Sequence, residues 1–480
     1  MSASFLFYDL ETFGTDPRRS RIAQFAAIRT DVDLNEIDAP IDFFVRPADD
    51  LLPVPIASLV TGIAPQDALR EGIREAEAFA RIAEAMSQPG TCTLGYNSLR
   101  FDDEFVRHGL FRNFFDAYER EWRNGNSRWD LLDVMRLAHA LRPDGIAWPK
   151  REDGATSFRL EHLASANEVR IGDAHEALSD VRALIGMARK LKQAQPRLWD
   201  YALRLRDKRY AASLLDITAA APVLHVSQRY PAARLCAAAV LPLARHPRID
   251  SRVIVFDLDG DPEALLDMDP GAIADRLYVR SADLPEGEAR IPLKEVHLNR
   301  CPALIEWAHL READFRRLSI DPALAERRAA RLREVAPALA EKVRRVFAAT
   351  QERPPSDADG ALYEGFMGDG DKRRLADVRG TPPEALGLRD FGFQDPRLPE
   401  LLFRFRARNW PETLTVPEQM RWDAYRRHRL LEESELSELS LPRYQAEIAA
   451  LRAAHADDGA KLALLDRLDA WGRELHRSLT

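Results

Sequence analysis

The sequence is poor in cysteine and has no long apolar run. Its cysteines, Cys92, Cys236 and Cys301, are odd in number, far apart and outside metal-ligand spacing, which excludes a disulfide framework and a zinc site. No stretch approaches the roughly 18 apolar residues of a membrane span. The N-terminus also lacks the basic and apolar regions of a signal peptide. We therefore expect a cytoplasmic protein with no membrane partner.

An excess of positive charge is missing as well. Lys and Arg number 69 against 77 Asp and Glu, for a net charge of −8. This balance argues against a protein that coats nucleic acid through bulk electrostatics, but it allows a locally basic channel. The hydrophobic share of 46% is typical of a globular protein. At 480 residues the chain exceeds the usual size of one hydrophobic core, so we expect two or three domains.

The first part of the chain has the order of an α/β domain. In chain order, the patterns predict strands at 4–10, 22–30, 41–46 and 91–96, and helices at 74–86, from Asp102, from Trp129 and at 174–192. Short connections between the first three strands indicate an antiparallel meander. Pro196 follows the last helix, and we place the first domain boundary there.

The rest of the chain divides into a β-rich part and a helical part. Between residues 222 and 302, Gly, Pro and Asp separate the strand-like segments PVLHVS, SRVIVFDLD, RLYVRS and IPLKEVHLN. Residues 303–349 are predicted to be helical, and QERPPSDADG at 351–360 has the composition of a linker. We predict three domains at 1–196, 197–350 and 351–480, the second a small β domain with flanking helices and the third helical.

Two acids on the first predicted strand form the first candidate site. Asp9 and Glu11 are two residues apart, so both side chains point to one face and can share a metal ion. The alternative is that an Asp-x-Glu pattern only decorates a surface. The strand is strongly apolar and is therefore expected to be central, where paired carboxylates are costly unless a cation or hydrogen bonds compensate them.

A second pair of acids opens the helix that follows the predicted strand at 91–96. In GYNSLRFDDEF, Asp102 and Asp103 stand at the helix start, where acids are common because they cap free N–H groups. The functional interpretation is that Asp102, near the carboxyl end of a strand, joins Asp9 and Glu11. Asn97 and Phe101 would then shape the pocket.

The third candidate pair is His175 and Asp180, at the start of a long helix. Five residues correspond to about 1.4 helical turns, so His175 fits better in the preceding loop or first turn than beside Asp180 on the helix. From there it could reach over a metal held by Asp180. The alternative is an exposed or structural histidine.

Taken in order, these patterns resemble the motifs of a known enzyme family, the DEDDh 3′–5′ exonucleases. The matching patterns are Asp9-x-Glu11, Asn97 to Phe101-Asp102, and His175-x-Ala177-x-x-Asp180. Further segments, FYDLETFGTDP, QFAAIRTD, NSRWDLLDVMR, SFRLEHL and FRARNWPETL, are similar to the bacterial exodeoxyribonuclease I branch of that family. One residue more than the family pattern separates Asn97 from Phe101, so Asp103 is the alternative to Asp102.

The resemblance implies a fold and an activity. The fold is α/β, with an RNase H-like exonuclease domain on a mixed sheet, then a small SH3-like β domain and a helical C-terminal domain. The activity is hydrolysis of single-stranded DNA from the 3′ end to 5′-mononucleotides, in DNA repair and recombination. Two Mg²⁺ ions, with Mn²⁺ as a substitute, would be held by Asp9, Glu11, Asp102 and Asp180. His175 would take the proton of the attacking water.

Substrate contacts are predicted from the resemblance and from one mixed segment. Arg159, in SFRLEHL, is similar in position to a substrate-contacting arginine of the family, and Glu11 is predicted to contact the substrate as well as the metal. The stretch from 110 to 136 interleaves aromatic residues with arginines, which suits base stacking combined with phosphate attraction. From it we select Tyr118, Trp122, Arg128 and Arg136, and assign Phe111, Phe114 and Phe115 to a helix core.

The predicted partners are single-stranded DNA and, by resemblance, the acidic C-terminal tail of single-stranded DNA-binding protein, with the chain itself a monomer. Arg327, Arg328 and Arg331 would meet that tail, unless their helix only presents a solvated face. Two other functions stay open: an RNA 3′-end exonuclease or oligoribonuclease, and a non-catalytic single-strand-binding module. The choice between DNA and RNA depends on whether the site accepts a 2′-OH, and no residue in the sequence indicates this.

Overall fold

The fold comes from a computed structural model that describes residues 3–170, 172, 176–279, 283–285, 289–348 and 356–480. The chain forms two compact units. Unit 1 is built from Met1–Ser127, Arg170–Ile185 and Pro354–Thr480, and unit 2 from Arg128–Val169 and Gly186–Arg353. Among the helices in the described ranges, none combines the length and the apolar character that crossing a membrane requires.

The strands, in chain order, are β1 (Ser4–Thr12), β2 (Ile22–Thr30), β3 (Ile41–Phe44), β4 (Thr91–Gly95), β5 (Ser127–Asp130), β6 (Val223–Val226), β7 (Ala237–Arg245), β8 (Arg252–Asp257), β9 (Leu293–His297) and β10 (Ala303–Glu306).

The helices are α1 (Pro55–Thr61), α2 (Pro65–Glu71), α3 (Glu75–Ser87), α4 (Asp102–Arg112), α5 (Leu131–Leu141), α6 (Leu160–Ala166), α7 (Ala177–Ala194), α8 (Pro196–Arg204), α9 (Lys208–Leu214), α10 (Glu263–Asp267), α11 (Pro270–Tyr278), α12 (Glu312–Leu318), α13 (Pro322–Glu334), α14 (Ala336–Ala348), α15 (Asp369–Arg379), α16 (Pro383–Leu386), α17 (Arg397–Asn409), α18 (Val416–Leu431), α19 (Leu441–Ala454) and α20 (Gly459–Leu479).

The sheet of unit 1 is mixed, as the sequence predicts. β1 pairs antiparallel with β2 and parallel with β4, and β2 pairs antiparallel with β3. The predicted meander of the first three strands is therefore confirmed. Every residue of β2 is buried, so both faces of the sheet are covered at this strand. Phe79, Ile82 and Phe105 of α3 and α4 pack in the core formed with β1 and β2.

The C-terminal helices of unit 1 share a core with its N-terminal segment. Phe111 and Phe114, at the end of α4 and just beyond it, are buried together with Leu398, Leu401 and Phe405 of α17. This confirms that Phe111 and Phe114 belong to the core. Phe115 is only partly buried, and it packs against the cluster that contains Phe105.

A buried network of opposite charges also lies in unit 1. Asp50 and Asp359 are almost fully buried, and both accept hydrogen bonds from Arg408, at 2.8 Å for Asp50 Oδ2 and 2.9 Å for Asp359 Oδ1. Arg404 donates to Asp357 Oδ1 at 2.8 Å. The prediction of a linker is therefore wrong for residues 356–360, because the acids that give them a polar composition are held by arginines of α17. Residues 351–355 lie outside the described residues.

Unit 2 is built on a second, antiparallel sheet with the strand order β10-β6-β7-β8-β9. Alternating residues of β8 point to opposite faces. Ile254 and Phe256 pack with α11 and α14 on one side, and Val253 and Val255 pack with α9 on the other. This small β fold with flanking helices agrees with the sequence prediction.

Four details of the predicted elements are wrong. Residues 276–278 of RLYVRS are the end of α11 rather than a strand, because Asp269 caps this helix and the helix residues Ile273 and Leu277 follow helical spacing. Residues 280 and 281 lie outside the described residues. Residues 303–306 form β10 rather than helix, since they pair with β6. β7 was not predicted, because its alanines and Pro242 are weak strand signals. The helix expected from Trp129 begins at Leu131, after β5.

Candidate active site

Three carboxylates meet at one end of the sheet in unit 1. Asp9 and Glu11 project from β1 and Asp180 from the first turn of α7, with one ligand oxygen of each within 4.8 Å of the others. Glu11 is buried, and Asp9 and Asp180 are half-buried. The β1–β2 register shifts between Glu11 and Thr12, so the strand bends directly after the second acid. The two-residue spacing thus places both acids beside Asp180.

Asp102 acts electrostatically on the two acids of β1. It is the first residue of α4, which follows β4, the parallel neighbour of β1. Its carboxylate is buried and raises the pKa of both Asp9 and Glu11. Asp102 therefore lies close enough to act on the two strand acids.

Asp103 has a different environment from Asp102. Its Oδ1 accepts a hydrogen bond from the Tyr8 hydroxyl at 2.8 Å and from Arg120 Nη2 at 2.6 Å, and the side chain is fully buried. These contacts give Asp103 a structural role between β1 and α4. They favour Asp102 as the acid of the site.

The ionised forms of these acids repel one another. Burial, then repulsion from Asp102, Glu11 and Asp180, raises the pKa of Asp9 well above its ordinary value. Burial, then Asp180 and Asp102, raises the pKa of Glu11 to about 8. Clustered oxygen ligands with this excess negative charge suit a hard divalent cation.

Arg170 is a neighbour of the site that the sequence did not reveal. Its Nη2 donates to Asp180 Oδ1 at 2.8 Å, and both side chains are largely buried. It also lowers the pKa of Asp9, against the larger effects of burial and repulsion. A single arginine ahead of His175 carries no motif, so only its contact identifies it.

His175 lies outside the described residues, as do Asp173 and Ala174. Its predicted role as the proton acceptor therefore stays a prediction.

Two of the predicted substrate residues belong to unit 1. The Arg107 guanidinium lies 5.3 Å from the ring centre of Tyr118, and Trp122 is 65% exposed. Tyr363 is a neighbour of Tyr118 that the sequence did not single out: its ring lies 6.4 Å from that of Tyr118, and its hydroxyl accepts a hydrogen bond from Arg107 at 3.1 Å. No sequence pattern links residue 363 to residue 118, and only the shared core of unit 1 brings them together.

The other predicted substrate residues belong to unit 2. Arg128 is buried and donates to the carbonyl of Asn299 at 3.2 Å, and Arg136 donates to Asp133 Oδ1 at 2.7 Å. Arg159 is largely exposed and donates to Glu161 Oε1 at 3.1 Å. The structure thus gives Arg128 and Arg136 contacts within the protein, and it leaves Arg159 accessible to solvent.

Comparison with known protein families gives matches along nearly the whole chain. Residues 6–187 match the family described as Exonuclease, residues 206–349 the Exonuclease I SH3-like domain, and residues 356–475 the Exonuclease I C-terminal domain.

Curated relatives are similar over almost their full length. The chain is 45% identical over 474 residues to Exodeoxyribonuclease I of Escherichia coli, with 98% of each chain covered. It is 41% identical over 474 residues to Exodeoxyribonuclease I of Haemophilus influenzae, again with 98% of each covered.

Solved structures agree with this similarity. Exonuclease I from Methylocaldum szegediense has a TM-score of 0.95 at 48% identity, with 100% of both chains covered. E. coli Exonuclease I with a dA16 oligonucleotide has a TM-score of 0.95 at 45% identity, covering 99% of this chain and 100% of that one. The zinc-bound form of an E. coli ExoI–single-stranded DNA complex has a TM-score of 0.93 at 44% identity, with the same coverage. With family matches along its length and relatives well above 30% identity, the chain belongs to the exonuclease I family.

Proposed function

We propose that this protein is an exodeoxyribonuclease that degrades single-stranded DNA from its 3′ end to 5′-mononucleotides. The observation that carries the proposal is the meeting of Asp9, Glu11 and Asp180 within 4.8 Å. They stand in a chain similar to enzymes named Exodeoxyribonuclease I, of which the E. coli protein was crystallised with DNA oligonucleotides. A retired, purely binding module would gain nothing from three clustered acids, since their repulsion costs stability.

The enzyme depends on a divalent metal, and we propose two Mg²⁺ ions, with Mn²⁺ as a substitute. Asp9, Glu11, Asp102 and Asp180 would hold them. The raised pKa of Glu11 supports this fit, because burial and the neighbouring acids Asp180 and Asp102 make its ionisation unfavourable, and a cation would offset that cost. When bound, the metal supplies charge neutralisation at the scissile phosphate and acidifies an attacking water.

The protein's own residues orient the reaction. Arg170 holds Asp180 through a 2.8 Å hydrogen bond, which fixes that carboxylate in the site. His175 accepts the proton of the attacking water, the role that the family resemblance implies. The leaving 3′ oxygen then departs with the shortened strand, and a 5′-mononucleotide is released.

Substrate contacts are proposed for both units. Tyr118 and the exposed Trp122 offer rings for base stacking, and Tyr363 is an additional candidate because it neighbours Tyr118. Glu11 would contact the terminal nucleotide, and the exposed Arg159 suits a phosphate through its forked donors. Arg128 and Arg136 remain candidates from the sequence, although each already forms a hydrogen bond within the protein that would compete with binding to DNA.

A protein partner is proposed from family resemblance. The acidic tail of single-stranded DNA-binding protein would meet Arg327, Arg328 and Arg331 on α13. Arg331 is bound to Glu263 at 2.8 Å in an exposed ion pair, which water and salt weaken enough for exchange. We further propose a monomer in the cytoplasm. Titration with the tail peptide at two salt concentrations tests the contact, and salt-insensitive or undetectable binding would remove it.

Labelled oligonucleotides test the activity directly. With Mg²⁺, a 3′-labelled single-stranded DNA should release its label at once as a mononucleotide, whereas a 5′-labelled strand should give a descending ladder. RNA of the same sequence should be cut far more slowly, and chelation should stop both reactions. First release of the 5′ label, or equal cleavage of RNA, would contradict the proposal.

A further inference from the structure

The C-terminal part of unit 1 forms hydrogen bonds with the loop that follows β1. Glu438 lies in the segment between α18 and α19, and its carboxylate accepts several hydrogen bonds from this loop. The Thr15 N–H donates to Oε1 at 3.0 Å and to Oε2 at 3.1 Å, and the Asp16 N–H donates to Oε1 at 3.1 Å. The Thr15 hydroxyl donates to Oε2 at 3.0 Å. One carboxylate thus fixes two successive peptide units.

The loop that Glu438 binds is short, and a backbone hydrogen bond joins its two ends. It runs from Phe13 to Arg21, whose backbone groups are joined by a 3.0 Å hydrogen bond from the Phe13 N–H to the Arg21 carbonyl. The Thr12 hydroxyl donates to the Gly14 carbonyl at 2.6 Å, and the Ser20 N–H donates to the Asp16 carbonyl at 2.8 Å. These hydrogen bonds connect the loop that contains Thr15 to Thr12, the residue directly after Glu11.

A second contact holds the other side of the same loop. Arg429 of α18 is almost fully buried, and its Nη2 donates to the Arg19 carbonyl at 2.6 Å. Its Nη1 donates to the carbonyl of Leu436, in the segment that carries Glu438. The loop and the C-terminal segment are thus tied to one arginine.

The position of Glu438 leaves no room for a side chain at Gly14. A Cβ at residue 14 would collide with Glu438 Oε1 and lie 2.8 Å from Ser20 Oγ. A side chain at this position would therefore push the carboxylate away from the loop amides.

We propose that Glu438 is a positioning residue of the metal centre, which fixes the loop after β1 and thereby holds Glu11 against Asp9 and Asp180. The proposal rests on the proposed function. When ionised, as metal binding requires, the three acids repel one another, so their backbone must be held rigidly for them to stay within 4.8 Å. Partners that orient metal ligands commonly change metal affinity when removed, although they never touch the metal.

The decisive variants are Glu438→Ala and Glu435→Ala. Glu435 forms an exposed ion pair with Arg19 and serves as the matched control, because such pairs contribute little. In calorimetric titration with Mn²⁺, Glu438→Ala should weaken affinity by up to roughly tenfold, the low end of the range for groups that bond a metal ligand directly, because Glu438 acts on Glu11 only through the loop. Glu435→Ala should match wild type. Amide exchange at residues 15 and 16 should accelerate only in Glu438→Ala.

The outcomes separate the two proposals. Wild-type protein that binds no Mn²⁺ would refute the proposed function. Wild-type Mn²⁺ affinity in Glu438→Ala, with faster amide exchange, would overturn the positioning role alone. If Glu438→Ala does not fold, Gly14→Ala tests the same contact from the loop side. It should weaken Mn²⁺ binding as well, and unchanged affinity in a folded Gly14→Ala protein would overturn the inference.

Discussion

At the scale of single residues, the acids of the site should release protons when a metal ion binds. The pKa of Glu11 is raised to about 8 by burial and by Asp180 and Asp102, so Glu11 carries a proton at neutral pH when no metal is bound. Mn²⁺ affinity should therefore increase as pH rises from about 6 to 8, with release of protons. Calorimetry in two buffers of different ionisation enthalpy measures that release. An affinity independent of pH in this range would show that Glu11 is already ionised.

Arg170 should stabilise the metal-free protein more than the metal-bound one. Its guanidinium compensates part of the negative charge around Asp180, which a bound cation would compensate as well. Arg170→Met should lower the free energy of unfolding without metal by roughly 1.5–3 kcal/mol, the range for a hydrogen bond to a charged group. Saturating Mn²⁺ should reduce that deficit. An equal deficit with and without Mn²⁺ would contradict the compensation.

The sequence contains most of the information for the acids and little for their neighbours. Asp9 and Glu11 follow from a two-residue spacing on an apolar strand, and Asp180 from the resemblance of His175-x-Ala177-x-x-Asp180 to a family motif. The contact of Tyr363 with Tyr118 depends on tertiary packing between segments far apart in the chain. Arg170 stands ten residues before Asp180, a separation that no helix or strand spacing singles out.

At the scale of secondary structure elements, adjacent acids at the start of α4 should have separable effects. Asp103 connects α4 to β1 through Tyr8 and to Arg120 through a 2.6 Å ion pair. Asp103→Asn should lower the free energy of unfolding by about 3–5 kcal/mol, since it leaves a buried arginine without its counter-charge. Asp102→Asn should instead weaken Mn²⁺ binding with a smaller loss of stability. Chemical denaturation and calorimetry on both variants measure the difference, and a reversed pattern would make Asp103 the acid of the site.

The elements that sequence analysis missed share a physical cause. β7 is rich in alanine and contains Pro242, so its identity depends on pairing with β6 and β8 rather than on local preference. Residues 356–360 read as a linker because they are polar, but arginines of α17 bind the acids at 357 and 359. Local composition does not record such distant partners.

At the scale of the whole molecule, the buried charge network should control acid stability. Burial alone would raise the pKa of Asp359, but Arg408 and Arg404 hold it well below its ordinary value. A depressed pKa contributes stability that is complete above the unfolded value near pH 4 and is lost as pH falls below it. Asp359→Asn should cost about 3–5 kcal/mol at neutral pH and flatten the decline below pH 4.

Asp357→Asn is the control for this prediction, because Asp357 pairs with Arg404 at a more exposed position and should cost less. Urea unfolding between pH 3 and 7 measures both variants. A pH profile of Asp359→Asn parallel to that of wild type would assign the acid sensitivity to other groups.

The discontinuous chain path of unit 1 has a consequence for synthesis. Residues 354–480 complete the unit that carries Asp9 and Glu11, and they supply Glu438 and half of the network around Asp50 and Asp359. On the ribosome, the N-terminal strands must wait for the last helices to emerge before this unit can close. We therefore expect nuclease activity to appear only after residue 438 has left the ribosome.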